Sequence, residues 1–263
     1  MPKPAAQNIV LGAGYVHFAP YDANGDPQGR RYLGETPGFT ISGSTERAEK
    51  WSSDGPIAER LKDIATRVTR SASVTVDNIS EDNLALFLMG DASEVSQSGT
   101  SVTDERHTVD QGLWYQLGSG PNDFVGSRDV SAVTVVTDPD GTPVTMTEGT
   151  DYELNLALGL LYIIPGGGIA ASAAEEIGVD YTEAAATWDQ VVTSNLGPKD
   201  GLFYFRADNS EGANRDVLIP QASLTPNGDM AWKSRDTFMS MQFDVRISKR
   251  AGVEQVYVNG RPA

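Results

Sequence analysis

Two long stretches of this chain alternate between apolar and polar residues, and this pattern limits the fold more than any other feature. In residues 64–76 and 239–248, a mostly apolar set occupies every second position and a mostly polar set lies between. A period of two predicts strands with one apolar and one polar face. Strands of about ten residues exceed the usual five or six. We predict a mainly β protein in which these strands bury Val68, Val74, Phe243 and Val245.

One helix is predicted among the strands. Ser80 is a favourable N-cap, Glu81 and Asp82 place negative charge on the first turn, and Gly90 is expected to end the helix. Leu84, Phe87 and Leu88 supply its apolar stripe. A weaker helical pattern covers residues 56–62.

The negative charge of the chain is concentrated in its middle third. Residues 96–195 contain fifteen acidic and two basic residues, a net charge of −13, and the rest contains 21 acidic and 18 basic residues, a net charge of −3. This step predicts a discontinuous body, residues 1–95 and 196–263, that carries an inserted acidic domain, residues 96–195. A nearly neutral body can pack against its own copies, whereas an acidic block repels like blocks and stays in water.

The insert is also expected to be mainly β. Residues 130–137 should pair with 143–147 across a turn at Asp140–Gly141, and residues 152–156 should pair with 160–164. Residues 156–174 are uncharged, but Gly166–Gly168 interrupt them, which favours a buried strand followed by a turn over a membrane span. We therefore expect a soluble intracellular protein without membrane contact.

No residue pattern in the chain predicts catalysis, a metal site or a cofactor. There is no cysteine, and the two histidines, His17 and His107, lie on an outward strand position and in a polar connection, respectively. The Asp22–Asp26 stretch resembles the start of a calcium loop but lacks its later ligands, so it is interpreted as a hairpin turn. We expect a protein that is not an enzyme, and its acidity argues against a basic groove for nucleic acid.

Trp51 lies in a polar, turn-rich connection between two strands. A large aromatic side chain there is either an anchor for a partner surface or a residue that folds back onto its own domain. The sequence leaves both possibilities open.

Several blocks of the body, taken in order, resemble tail tube proteins of long-tailed bacteriophages, over most of residues 9–95 and 200–258. The blocks are residues 11–18 (LGAGYVHF), 22–25 (DANG), 31–34 (RYLG), 75–88 (TVDNISEDNLALFL), 205–209 (FRADN), 214–216 (NRD) and 219–220 (IP), followed by the last long strand. The middle segment is less typical of that family.

The resemblance implies a tail-tube-type β-sandwich or barrel with one flanking helix, six copies to a ring, and rings stacked into a tube in the virion, assembled in the host cytoplasm. DNA would pass through without specific binding. The other implied partners are the tape measure protein, the tail terminator and distal tail or baseplate proteins. The polar strand faces would line the lumen, at Thr69, Ser71, Ser73, Thr75, Gln242 and Asp244. A long stacking loop would reach the adjacent ring through Trp51, Ile57 and Leu61.

Two other functions fit the same residues. One is a soluble β-rich binding module, an adhesin or carbohydrate-binding protein, in which Trp114, Tyr115 and Trp188 of the insert line a sugar site. The other is a related tail component that stops at a single ring. For the tube protein, the charge of the insert favours a place on the outer wall, because narrow lumens confine like charges.

Overall fold

The computed structural model describes residues 8–137, 143–169, 175–193 and 197–260. The chain divides into two compact units, a body formed by Met1–Ser93 with Val191–Ala263 and an insert formed by Glu94–Gln190. The boundaries lie close to those expected from the charge step.

The body consists of eight strands and one helix in its described part. Its elements, numbered in chain order with those of the insert, are β1 Gly14–Pro20, β2 Arg31–Tyr32, β3 Gly38–Trp51, β4 Arg60–Val76, α1 Glu81–Phe87, β14 Lys199–Ala207, β15 Arg215–Pro226, β16 Met241–Ile247 and β17 Tyr257–Gly260.

These strands form one antiparallel sheet that folds over on itself. The strand order is β2-β1-β14-β15-β16-β4-β3, and β17 pairs with the first half of β15. The ring of Phe39 in β3 nevertheless lies 5.3 Å from the rings of both Phe203 and Phe205 in β14, which is four places away in that order. The sheet therefore closes around a single apolar interior, an arrangement of the sandwich or barrel kind. The expected mainly β fold with one helix is confirmed.

The alternating pattern explains the core. Val74 pairs with Phe243, and Ala72 pairs with Val245, so that their side chains share one face of the sheet. All four are buried. The helix covers part of this core, since the ring of Phe87 packs edge-on against that of Phe243 at 5.8 Å.

The helix begins as predicted and ends earlier. The Ser80 hydroxyl accepts a hydrogen bond from the Asn83 amide at 3.3 Å. The last helical residue is Phe87, and Gly90 instead opens the next strand. Asn83 is buried and joins the helix to the sheet, because its amide nitrogen donates to the carbonyl of Leu33 at 2.8 Å and its amide oxygen accepts from Arg31 at 2.7 Å.

Two expectations for β4 are wrong. Val68 is not buried: its exposed fraction is 52%. Residues 56–62 form no helix, because β4 already begins at Arg60, which pairs with Trp51 of β3. So short a helical segment has no packing surface here, whereas the strand pairing supplies a hydrogen-bonded partner along its length.

The insert has its own core and three small sheets. Its elements are β5 Gly90–Gln97, β6 Ser101–Val109, β7 Trp114–Gln116, β8 Val130–Thr137, β9 Val144–Thr145, β10 Tyr152–Asn155, β11 Leu160–Ile163, β12 Glu175–Glu183 and β13 Ala186–Thr193. The sheets are β6-β12-β8-β9, β10-β11-β7 and the ribbon β13-β5, along which the chain enters and leaves.

Both predicted hairpins of the insert are confirmed. Val136 pairs with Thr145, and Tyr152 pairs with Ile163. The turn at Asp140–Gly141 lies outside the described residues. Leu161 and Ile163 are buried, as expected for the uncharged stretch. Within the described part of the chain, no helix combines the length and the apolar character needed to span a bilayer.

Two substitutions on one face of β4 test this register. Val74→Asp places an unpaired charge in the core, so we expect it to lower the free energy of unfolding by several kcal/mol and to remove soluble folded protein. Val68→Asp places the same charge on an exposed part of the same strand and should leave the melting temperature within a few degrees of the parent. The yield of soluble protein and thermal unfolding by circular dichroism are the measurements, and a soluble Val74→Asp that melts at the same temperature as Val68→Asp would contradict the register.

Candidate functional site

The outer half of the β3–β4 hairpin extends beyond the core. We call residues 43–69 the arm. Ser52 and Asp63 are half-buried, and all other residues of the arm are exposed. An isolated two-stranded hairpin is at best marginally stable in water, because it has no third element to pack against. Among the described residues, the arm is thus an exposed surface and not part of the core.

A β-bulge at Thr66 reverses the two faces of the arm. Glu46 pairs with Arg67 and Arg47 pairs with Ala65, so Thr66 has no partner residue in the ladder. On the core side of the bulge, Val68 lies on the same face as Val74. On the far side of the bulge, Arg47, Asp63 and finally Trp51 lie on that face. Ile64, which alternates with Val68 in the sequence, therefore lies on the opposite face.

Ion pairs stabilise the register of the arm between Val68 and Trp51. Arg47 contacts Asp63 at 2.6 Å, and Arg60 contacts Glu49 at 3.3 Å. The hydrogen bond from Arg47 lowers the pKa of Asp63 below its ordinary value. Exposed pairs of this kind add little stability one by one, but together they fix which side chains face outward.

The three residues predicted to contact an adjacent ring all lie exposed at the end of the arm. The exposed fractions are 49% for Trp51, 79% for Ile57 and 65% for Leu61. Trp51 does not belong to the apolar core of the body, so it does not fold back into its own domain. Its contact with a second copy stays a prediction.

The six predicted lumen residues share one face of neighbouring strands. Ser73 pairs with Asp244 and Thr75 pairs with Gln242, on the side of the sheet opposite the core. Side-chain hydroxyl groups of β4 contact those of β3, and the hydroxyl oxygens of Ser73 and Thr40 are 2.7 Å apart. The curved sheet leaves a concavity of about 530 Å³ on this face. This surface is therefore hydrophilic, and its polar side chains lie on neighbouring strands. The six residues are Thr69, Ser71, Ser73, Thr75, Gln242 and Asp244.

The sheet has a long free edge. β3 is last in the strand order, and within the described residues no strand pairs with its outer side. A long unpaired edge offers its backbone N–H and C=O groups to any extended segment. Together with the arm, this edge forms the candidate assembly surface.

Sequence reasoning missed two surface features of the body. The loop at residues 227–240 exposes Trp232 and Phe238, the latter almost fully at 99%. On the outer side of β1 and β14, the guanidinium groups of Arg30 and Arg206 lie 4.4 and 4.5 Å from the ring centres of Tyr204 and Tyr15. Trp232 and Phe238 lie in a polar segment, which was the sequence signal for the first feature, whereas Tyr15 and Tyr204 lie within largely apolar strands and gave no such signal.

His17 lies beneath this aromatic group, on the outward face that was predicted for it. Its ring centre is 5.5 Å from that of Tyr32 and 6.1 Å from that of Tyr204. Burial, together with the charges of Arg206 and Arg30, lowers the pKa of His17.

His107 does not lie in a connection, as expected, but in β6, where it pairs with Ile177 of β12. The alternation of that segment places it beside Glu105, with 2.8 Å between its Nε2 atom and a carboxylate oxygen. Burial by itself raises the pKa of Glu105, but the close contact with His107 and the hydrogen bonds from the Tyr181 hydroxyl and the Gly118 amide together lower it below the ordinary value. Burial and the bond to Glu105 raise the pKa of Tyr181.

The aromatic residues proposed for a sugar site are separated. Trp114 stacks on Tyr162 with 5.0 Å between ring centres. Trp188 instead lines a cavity that includes neither Trp114 nor Tyr115. Among the residues that the structure describes, no three acidic, histidine or cysteine side chains are grouped closely enough to bind a metal ion.

The Glu105 group predicts acid-sensitive stability of the insert. Because the pKa of Glu105 is lowered on folding, its contribution is complete above the ordinary glutamate pKa and is lost as the pH falls through the folded value. Glu105→Gln should therefore lower the melting temperature at pH 7 and flatten its decline below about pH 5. Glu153→Gln, an exposed position in the same unit, serves as control. Parallel melting curves for Glu105→Gln and the parent across pH 3–7 would contradict the assignment.

Comparison with known proteins gives a family but no activity. A search of curated proteins finds no match. The family described as Protein of unknown function UCP028589 matches residues 9–251, which include both the body and the insert. Because this match spans nearly the whole chain, the protein belongs to the family UCP028589.

Proposed function

We propose that this protein is a structural protein of the virion that polymerises as stacked hexameric rings into the tail tube of a long-tailed bacteriophage, the conduit for DNA ejection. The observation that carries the proposal is the arm. Its two strands are paired along their length, and nearly all of its residues are exposed, although the core from which it extends is buried. Its partners would be copies of itself, the tape measure protein, the tail terminator and distal tail or baseplate proteins. The number six and the names of the partners come from the resemblance to tail tube proteins.

Ring closure accounts for the free edge of β3. An edge of fourteen residues left in water invites uncontrolled pairing. In a closed ring, every copy pairs its edge with the next copy in a head-to-tail contact, and no edge remains. The mainly β body would then contribute strands to one continuous barrel.

The polar sheet face suits the inside of that barrel. Its hydroxyl and amide groups are hydrated without forming an apolar patch, and among the six lumen candidates Asp244 alone carries a charge. Arg246, which pairs with Ser71, lies on the same face as Asp244, so β16 contributes one acidic and one basic residue there and not an array of basic residues that would hold phosphate groups. DNA would therefore pass without specific binding.

In this proposal, the negative charge of the insert favours a position on the outer wall of the tube. Six copies of a −13 insert carry 78 negative charges per ring. Repulsion across a narrow channel is only partly screened, since the screening length is ~8 Å at physiological salt. On the outside, the same charge meets open solvent and keeps neighbouring tubes apart.

The arm provides the first test. Trp51→Ala should leave the melting temperature nearly unchanged but shorten or abolish the tubes seen by negative-stain electron microscopy, because the anchor at the end of the arm is lost. Trp114→Ala is the matched control, since Trp114 is 51% exposed and lies in the insert. Tubes of normal length from Trp51→Ala would argue against the stacking role, and a parent protein that never forms rings or tubes would overturn the proposal itself.

Deletion of the insert provides the second test. Replacing residues 98–193 with a short Gly/Ser linker should leave a body that folds and forms tubes of the same lumen diameter. These tubes should be narrower on the outside and should bundle at low salt, because the repelling charge is gone. A folded, soluble variant that cannot close rings would show that the insert belongs to the assembly interface.

A further inference from the structure

The insert contains a cavity that the proposed tube does not require. Its volume is about 420 Å³, within the range of small-molecule sites. The wall combines one large aromatic residue with amides, hydroxyls and carboxylates; its side chains include Trp188, Gln97, Asn122, Asp123, Glu183 and Gln190.

Hydrogen bonds hold the wall in place. The Gln97 amide nitrogen donates to the carbonyls of Arg128 and Ala184 at 2.6 and 2.8 Å, and its oxygen accepts from the Arg128 amide at 2.9 Å. Glu183 accepts hydrogen bonds from Ser127 and Thr100. Because these bonds cross from β5 to the segment at 127–128 and to the end of β12, the cavity is preorganised.

Other polar groups of the wall remain available to a ligand. Asp123 uses one carboxylate oxygen to accept from the amides of Val125 and Gly126, at 3.0 and 3.3 Å. Within the described part of the chain, the side chains of Asn122 and Gln190 make no hydrogen bond, although both line the cavity. The wall therefore offers amide donors and acceptors that are free to pair.

One large aromatic side chain lies at the cavity. Trp188 belongs to β13, is half-buried, and has the guanidinium of Arg128 at 5.1 Å from its ring centre. Its ring therefore offers apolar surface within an otherwise polar wall.

We propose that this cavity binds a neutral saccharide. Sugar rings carry apolar C–H faces that pack on aromatic rings, and hydroxyls that pair with amides and carboxylates. The carboxylates of Asp123 and Glu183, in a unit of strongly negative charge, repel phosphates, nucleic acids and acidic sugars. Arg128 contacts the Trp188 ring but does not line the cavity, so its contact leaves the cavity side of the ring for the sugar. The site goes beyond tube formation and does not depend on it.

The test uses the unassembled full-length chain and a panel of neutral trisaccharides. Maltotriose, cellotriose and chitotriose are titrated by calorimetry and by saturation-transfer NMR. At least one should bind, and Trp188→Ala should weaken that binding about tenfold or more. Trp114→Ala, which removes an exposed tryptophan outside the cavity wall of the same unit, should bind like the parent.

A second variant keeps the test valid if Trp188→Ala does not fold. Asn122→Ala removes an exposed side chain without internal partners, so it should fold normally and weaken binding severalfold. Deletion of residues 98–193 should abolish binding whether or not that variant forms tubes, which separates this site from the assembly function. No binding of any neutral trisaccharide at millimolar concentration, or equal binding by the parent and Trp188→Ala, overturns the proposal.

Discussion

The ladder between β3 and β4 is the interaction on which the rest of the molecule depends. One continuous ladder joins Phe39 with Val74 inside the core and Trp51 with Arg60 at the far end, and its register shifts at Thr66 and again next to Trp51. Its inner half is stabilised by burial of apolar side chains, and its outer half by ion pairs and by the continuity of the ladder itself. The same hairpin therefore completes the sandwich and extends an exposed arm from it. A change inside the core affects folding, whereas a change beyond the bulge at Thr66 affects what the arm can contact.

The two units divide the physical tasks of the chain. The body is nearly neutral, so its copies can approach each other, and it carries both the free edge and the arm. The insert holds most of the excess negative charge and closes its own core around residues such as Leu161 and Val179. Its cavity is built from hydrogen bonds among its own strands and loops. The proposed assembly surface and the proposed ligand site therefore share no residue, which makes the two proposals independent.

Much of the fold was accessible from the sequence because it follows from local rules. Alternation predicted that Val74, Phe243 and Val245 share a buried face, and the capping residue Ser80 predicted where the helix begins. The charge step located the insert near its observed limits, since solvent-facing composition changes wherever a new domain begins. Predicting these features requires only the residues that are near each other in the sequence and the period at which apolar residues recur.

The tertiary structure decided everything that depends on what covers a strand. Val68 and Val74 occupy equivalent places in one alternating pattern, but only Val74 has β16 and the folded sheet around it, so one is exposed and the other buried. The bulge at Thr66 depends on pairing with β3 and left no mark in the pattern. His107 acquires its partner Glu105 through strand geometry, and Trp188 gains a cavity from loops far away in the chain. Between bulges, sequence periodicity determines which residues share a face, and long-range packing determines where a bulge occurs and what each face contacts.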